Sequence, residues 1–180
     1  MKPLTTAGTT KAFTLMELLV VIAIIGILLA LLYPVYERSV AGSRAVACTS
    51  NLRQLGVALN AYLNENNMMM PTLQIARSSI NDNVPVIDNT LDKYLPDKRV
   101  FACPGDTQGL AVTTGTSYWW NVALNGQAVA NLNFLSFVTD STHIPILADK
   151  AGFHPYLDNK VNLLYADGHV TKDVSFFTGN

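Results

Sequence analysis

Glu17 is the residue whose chemistry most needs explaining in this chain of 180 residues. It stands near the start of residues 11–34, KAFTLMELLVVIAIIGILLALLYP, where no polar side chain occurs between Leu18 and Leu32. An acid held charged and unpaired near a bilayer centre costs about 2.5–3.5 kcal/mol. A plain anchor gains nothing from such a group, so the pattern predicts a cationic partner for it. The other reading places Glu17 at the interfacial end of the span, where it snorkels to water.

Cys48 and Cys103 are the only cysteines, and neither belongs to a Cys-x-x-Cys or Cys/His zinc spacing. A bridge between them would close a loop of 55 residues, which adds about 4 kcal/mol in the chain-entropy treatment. Two buried free thiols are the alternative, because spacing alone does not say whether the Cα atoms come within reach. Asp149, His154, Asp167 and His169 are the candidate metal ligands. Calcium takes six to eight oxygens, imidazoles suit it poorly, and Asp167 is already explained by a turn, so no metal and no cofactor are expected. The Met68-Met69-Met70 triplet reads as core filler, since no second sulfur or imidazole cluster accompanies it. There is no Gly-x-Ser-x-Gly, no phosphate-binding glycine loop and no histidine beside either cysteine, so the pattern argues against nucleophilic catalysis.

The elements that must position these groups begin with the apolar stretch. At about 1.5 Å per residue, Phe13 to Tyr33 forms a helix of roughly 30 Å, enough to cross a bilayer. Lys2 and Lys11 precede it with no acid among residues 1–12. That asymmetry predicts a cytoplasmic N-terminus and an outer location from about residue 34 onward, where a disulfide persists. The chain's net charge is −1, with no basic run, which gives nucleic-acid binding no support.

Three readings compete for the N-terminal region: a plain anchor, a cleaved secretory signal, or a leader followed by a retained helix. Ser39-Val40-Ala41 offers a small-x-small cleavage site. Against it stand the length of the apolar run, the acid near its start and the charged pair Glu37-Arg38. Ala45-Val46-Ala47-Cys48 bears a faint likeness to a lipoprotein site but lies too far from the span.

Lys11-Ala12-Phe13-Thr14-Leu15-Met16-Glu17-Leu18 resembles the cleavage and methylation motif of type IV pilins and type II secretion pseudopilins. The resemblance implies cleavage between Ala12 and Phe13 by a prepilin peptidase at the cytoplasmic face, then N-methylation of Phe13. Glu17 falls where the family keeps its acid. Gly26 and Pro34 bracket the segment that unwinds in the family's filaments. Alanine at position 12 stands where glycine is usual. The resemblance and the physics agree: the new amine of Phe13 is a cation in the apolar layer, and Glu17 of a neighbouring subunit neutralises it.

Past Pro34 the apolar period resumes. Cys48, Leu52, Leu55, Leu59 and Tyr62 form one stripe, with Arg44, Arg53, Asn60 and Asn64 largely off it. Asn64-Glu65-Asn66-Asn67 and Pro71 end the helix, and Pro34 bends it without ending it. The expected organisation is a leader at 1–12, a membrane half at 13–34, an amphipathic half at 35–67 and a head at 68–180. Residues 68–88 read as loop, with a short apolar run at 84–87. In the head, Asn89 caps a short helix to Leu95. Val100–Cys103 forms a strand stopped by Pro104-Gly105, and Asn133–Val138 and Ile144–Ala148 are strands about a turn at Asp140-Ser141-Thr142. Tyr118-Trp119-Trp120 reads as buried packing, with a carbohydrate or partner platform as the alternative. Residues 161–174 read as a β-hairpin, with Asp167-Gly168 as the two-residue type I′ turn.

That hairpin also resembles the C-terminal signature of a pilin-like subgroup, a histidine, nine residues and Asp-Gly. Here twelve residues separate His154 from Asp167. Cys48-Thr49-Ser50-Asn51-Leu52-Arg53-Gln54-Leu55-Gly56 and Cys103-Pro104-Gly105-Asp106 resemble other recurring pieces of the subgroup. Related pseudopilins bind calcium near the C-terminus, which leaves calcium as the one ion the resemblance allows. The expected fold is α+β, a long N-terminal helix on a small antiparallel sheet. The expected function is that of a structural subunit, not an enzyme, in a pilus-like filament or secretion pseudopilus. Its partners would be copies of itself, other pilin-like subunits, the peptidase and an inner-membrane assembly platform. It would first be held as a single-pass inner-membrane protein with its head outside. Two other classes compete: a single-pass anchored binding module that touches its partner through Tyr118–Trp120, and a secreted soluble protein cut after Ala41.

Overall fold

Helix α1, Leu15–Glu65, contains Pro34 and makes up about the first third of the described residues. The computed structural model describes residues 14–154 and 161–172. Ala12 and Phe13, with their cleavage and methylation, and residues 173–174 of the expected hairpin lie outside the described residues. The chain divides into two compact units, 1–39 and 40–180. In the first unit every described side chain from Thr14 to Tyr36 is exposed, and the helix is long and apolar enough to cross a membrane. A helix that is apolar all round belongs in lipid or among other apolar helices, not in water.

In the second unit α1 turns one face inward, burying Ala45, Cys48, Leu52, Leu55, Ala58, Leu59 and Leu63. The expected stripe is right as far as Leu59, but Leu63 and not Tyr62 takes the next interior position. Tyr62 is half-buried, its ring edge-on to Tyr94 at 6.1 Å. Asn67 and Met68 then turn left-handed (φ 53° and 56°), and the Met68 amide donates to the Leu63 carbonyl at 2.9 Å, closing the helix. Of the three methionines only Met70 is buried; Met68 and Met69 are exposed.

The sheet is an antiparallel meander in the order β1 (Tyr118–Trp120), β2 (Pro145–Asp149), β3 (Leu163–Tyr165), β4 (Val170–Thr171). Leu147 of β2 pairs with Leu164 of β3, and Leu164 with Val170 of β4. Leu164 belongs to the same buried cluster as Leu52, Leu55 and Trp120. Gly56 lets the helix come close: a Cβ there would meet Leu164 Cδ2 at 3.3 Å.

Several local expectations are corrected. The short helix α2, Ile87–Leu91, starts before Asn89, whose side chain instead accepts the Val86 amide at 2.9 Å. Lys98–Phe101 is a 3-10 turn and not a strand, because the Asp97 carboxylate accepts the Arg99 amide at 2.9 Å and sets the chain curling. Asn133–Val138 is a tight reversal with a single bridge between Phe134 and Val138, its tip residues Leu135 and Ser136 left-handed. The C-terminal turn is a three-residue loop, Ala166–Gly168, with only Gly168 at positive φ (91°). Tyr165 accepts the Gly168 amide and donates to His169, as in a hairpin with a glycine bulge and not a type I′ turn.

Candidate functional site

Two places in the molecule gather the residues singled out above, one in each unit. In the first, Thr14 and Glu17 bond reciprocally at the start of α1. The Thr14 amide and hydroxyl donate to Glu17 Oε2 at 2.9 and 2.8 Å, and the Glu17 amide donates back to Thr14 Oγ1 at 3.2 Å. This is a capping box, which satisfies two of the amides that a helix start leaves unpaired. Sequence reasoning missed it, although Thr-x-x-Glu before an apolar run is its signature. Both Thr14 bonds fall on Oε2 and the cap does not use Oε1, so the acid can cap its own helix and still face a cation. Gly26 has no atom within 4 Å of where a Cβ would be, and Pro34 withholds one backbone donor inside α1. The helix is continuous through both positions.

The second place lies in the interior of the second unit. Cys48 and Cys103 are joined by a disulfide with their Cα atoms 4.9 Å apart, tying α1 to the loop after the 3-10 turn. Both residues are buried. Cys103 is further fixed by its amide, which donates to Ser117 Oγ at 3.0 Å, and Ser117 donates to Asp106 Oδ2 at 2.8 Å. Asp106 also accepts the amides of Leu110 and Ala111 at 3.2 and 2.9 Å, which organises the start of α3, Leu110–Thr114. Burial works against its charge, but the Ala111 amide, the Ser117 hydroxyl and further amides outweigh it and hold the carboxyl below the usual range. Asn51, one turn after Cys48, donates to the Ala102 carbonyl at 2.9 Å and repeats the tie.

His154 completes this cluster. Its Nε2 lies 3.7 Å from Cys103 Sγ and 3.3 Å from Asp149 Oδ2, and both His154 and Asp149 are at least 97% buried. Asp149 Oδ2 accepts from the Asn162 amide and side chain at 2.8 and 2.9 Å. Among the described residues, Asp149 Oδ1 and His154 Nδ1 have no hydrogen-bond partner. Gly105 permits the approach of His154, since a Cβ there would lie 2.9 Å from His154 Cε1. Burial and the Asp149 charge push the nearby Tyr118 phenol well above its ordinary range.

The four candidate metal ligands therefore fall into two pairs. Asp149 meets His154 in the interior, while Asp167 meets His169 at 2.5 Å on the exposed hairpin turn, where His169 stacks on Tyr165 at 4.5 Å. Cys48, Cys103 and His154 lie close enough to surround an ion. The two sulfurs are bonded to each other, however, so they offer no thiolate. Of the aromatic trio, Tyr118 and Trp120 are core and Trp119 is 37% exposed. Trp119 Nε1 donates to the Lys150 carbonyl at 3.1 Å, and the Lys150 ammonium lies 5.3 Å from its ring. Lys150 is half-buried beside the Arg77–Asp88 ion pair, and burial brings its pKa down to about 8.

Residues 9–33 match the prokaryotic N-terminal methylation motif, the signal of type IV pilins and pseudopilins. The match ends within the first unit and does not extend to the C-terminal His and Asp-Gly. Searches of curated proteins and of solved structures found no match to the chain.

Proposed function

We propose that this chain is a structural subunit of a type IV pilus-like filament or of a type II secretion pseudopilus. The observation that carries the reading is the methylation motif at residues 9–33 running into a helix whose apolar side chains are all exposed from Leu15 to Val35. Such a helix needs lipid before assembly and neighbouring helices after it. Close packing and hydrogen bonding then decide which neighbours, because lipid tails are as apolar as leucine. Cleavage between Ala12 and Phe13 exposes an amine, and methylation leaves it basic. Glu17 of an adjacent subunit neutralises that amine, so a misregistered subunit would strand two charges in an apolar layer. Gly26 and Pro34 supply the weak points at which the helix gives during packing.

The subunit waits in the inner membrane with its N-terminus inside and the chain from about residue 34 onward, including the head, outside. The peptidase and an assembly platform are its first partners, and copies of itself or related subunits are its last. The head serves as the filament's outer wall, tied to its helix by the Cys48–Cys103 bridge. Cleavage after Ala41 fits the molecule less well. That bond lies inside α1, four residues before Ala45, the first buried position of its inward face.

N-terminal sequencing of the mature protein tests the reading. Methylated Phe13 is the expected result. An uncut Met1 would favour an anchored binding module, and Gly42 a secreted protein.

A further inference from the structure

We propose that, while Cys48 and Cys103 are still thiols, their sulfurs and His154 hold a zinc ion, so that ion and disulfide are alternative ties between α1 and the head.

Cys48 Sγ, Cys103 Sγ and a ring nitrogen of His154 lie within 4.8 Å of one another, and all three residues are buried. They come from three parts of the chain: α1, the loop after the 3-10 turn and the segment after β2. Zinc takes sulfur and imidazole donors in a tetrahedron, with bonds of about 2.3 Å to sulfur and about 2.0 Å to nitrogen, which sets a sulfur and a nitrogen roughly 3.5 Å apart along one edge. Cys103 Sγ and His154 Nε2 stand at 3.7 Å. The Gly105 amide donates to Cys103 Sγ at 3.3 Å, the kind of outer donor that steadies a metal-bound sulfur.

The ring nitrogen that faces Cys103 also meets Asp149 Oδ2, at 3.3 Å. One proton on that nitrogen serves either neighbour, whereas one ion beside it serves both. Asp149 Oδ2, already oriented by the Asn162 amide and side chain, is the oxygen at hand for the fourth position. His154 Nδ1 has no hydrogen-bond partner among the described residues, and it carries the ring proton when Nε2 binds the ion.

A newly made chain holds both cysteines as thiols, so the site forms without a reductant. Because the site is buried, the ion enters as the chain folds and not through the finished core. Binding releases the two thiol protons and leaves two thiolates and a neutral imidazole on the metal. A small disulfide then takes two electrons from the thiolates and leaves as two thiolates of its own. The bridge forms and the ion is expelled. This chemistry does not rest on the filament reading.

The test unfolds the full chain in denaturant and reduces it with a phosphine, which leaves as its oxide and is removed. The chain is refolded into detergent micelles with zinc or cobalt alone. Uptake of one ion per chain is expected, with the visible bands of tetrahedral cobalt. X-ray absorption of the zinc form should show two sulfurs at about 2.3 Å and an imidazole. The oxidised chain, which keeps Asp167 and His169, should take up none, and oxidised glutathione should release zinc from the loaded chain. His154→Gln should bind at least about tenfold more weakly, with circular dichroism of its oxidised form verifying the fold. Should that variant not fold, X-ray absorption of the wild type decides alone. No uptake, equal uptake by the oxidised chain or a reduced chain that stays unfolded with zinc would overturn the proposal. So would a zinc shell lacking either sulfur or the imidazole, or unchanged affinity in a folded His154→Gln.

Discussion

Thr14 caps Glu17 and Glu17 caps Thr14: the acid that stands out in an apolar span is already bonded twice by its own chain, at 2.9 and 2.8 Å. Under the proposed assembly two roles meet on one carboxylate, a helix start within the chain and a counter-charge between subunits, and single substitutions separate them. Thr14→Ala should loosen the first turn by about 1 kcal/mol, which speeds amide exchange there by about fivefold, yet leave filaments intact. Glu17→Ala should insert and be cleaved normally but form no filaments, because it removes the counter-charge as well. Filament yield by electron microscopy, beside N-terminal sequencing, reads both. Filaments from Glu17→Ala would end the pairing role, and loss of filaments in Thr14→Ala would move the requirement to the cap.

The Cys48–Cys103 bridge closes a loop of 55 residues between α1 and the head. Reduction should lower the head's unfolding free energy by about 4 kcal/mol. Urea unfolding of the full chain in micelles, with and without reductant, measures it. The same preparation, alkylated without reduction, should show no modified cysteine.

Gly105 and Gly42 make opposite predictions for the same change. A Cβ at Gly105 would lie 2.9 Å from His154 Cε1 and 3.1 Å from the Phe153 carbonyl oxygen, whereas one at Gly42 has nothing within 4 Å. Gly105→Ala should destabilise the head by about 1–3 kcal/mol, since a backbone atom must move. Gly42→Ala, inside α1, should be neutral or stabilise by up to about 1 kcal/mol. Denaturant midpoints of the two variants decide it. A neutral Gly105→Ala would mean that the ring is not held where it lies.

What the sequence shows and what it hides follow from the range of the interactions. The span and the inward face of α1 are legible because one period repeats over many residues, and the error at Tyr62 is a single step along that period. The strand expected at Ile144–Ala148 is found one residue later, at Pro145–Asp149, because its short apolar run marks the strand but not its ends. Short elements fail where one side chain outvotes local propensity: Asp97 curls Lys98–Phe101, and Asn89 serves Val86 three residues back instead of opening a helix. Asp-Gly correctly marks a reversal at the C-terminal hairpin, but only the glycine takes positive φ there, so the loop is one residue longer than the dipeptide suggests. The meeting of His154 with Cys103 joins residues 51 apart through a fold that no spacing encodes. The capping box at Thr14 is legible as Thr-x-x-Glu before an apolar run, a local signature that a reading of Glu17 as a misfit leaves out.

Lys150 gives the head a stability that rises with pH over a defined window. Burial, aided by the Arg77 charge and opposed by Asp88 and Asp106, brings its pKa from the ordinary lysine range down to about 8. Between about pH 8 and 10 the unfolded chain therefore holds a proton that the folded chain has released, and stability increases with pH. The window closes from above: the Tyr118 phenol, raised by burial and by Asp149, keeps its proton in the fold after the unfolded chain has lost it. Beyond about pH 10 that difference has the opposite sign and lowers stability as pH rises. Urea midpoints at pH 7.5, 8.5 and 9.5 should climb in the wild type and flatten in Lys150→Met. The substitution keeps an unbranched apolar side chain and removes the ammonium, which donates to Thr114 Oγ1 at 2.6 Å and lies 5.3 Å from the Trp119 ring. An equal climb in the variant would assign the effect to another group.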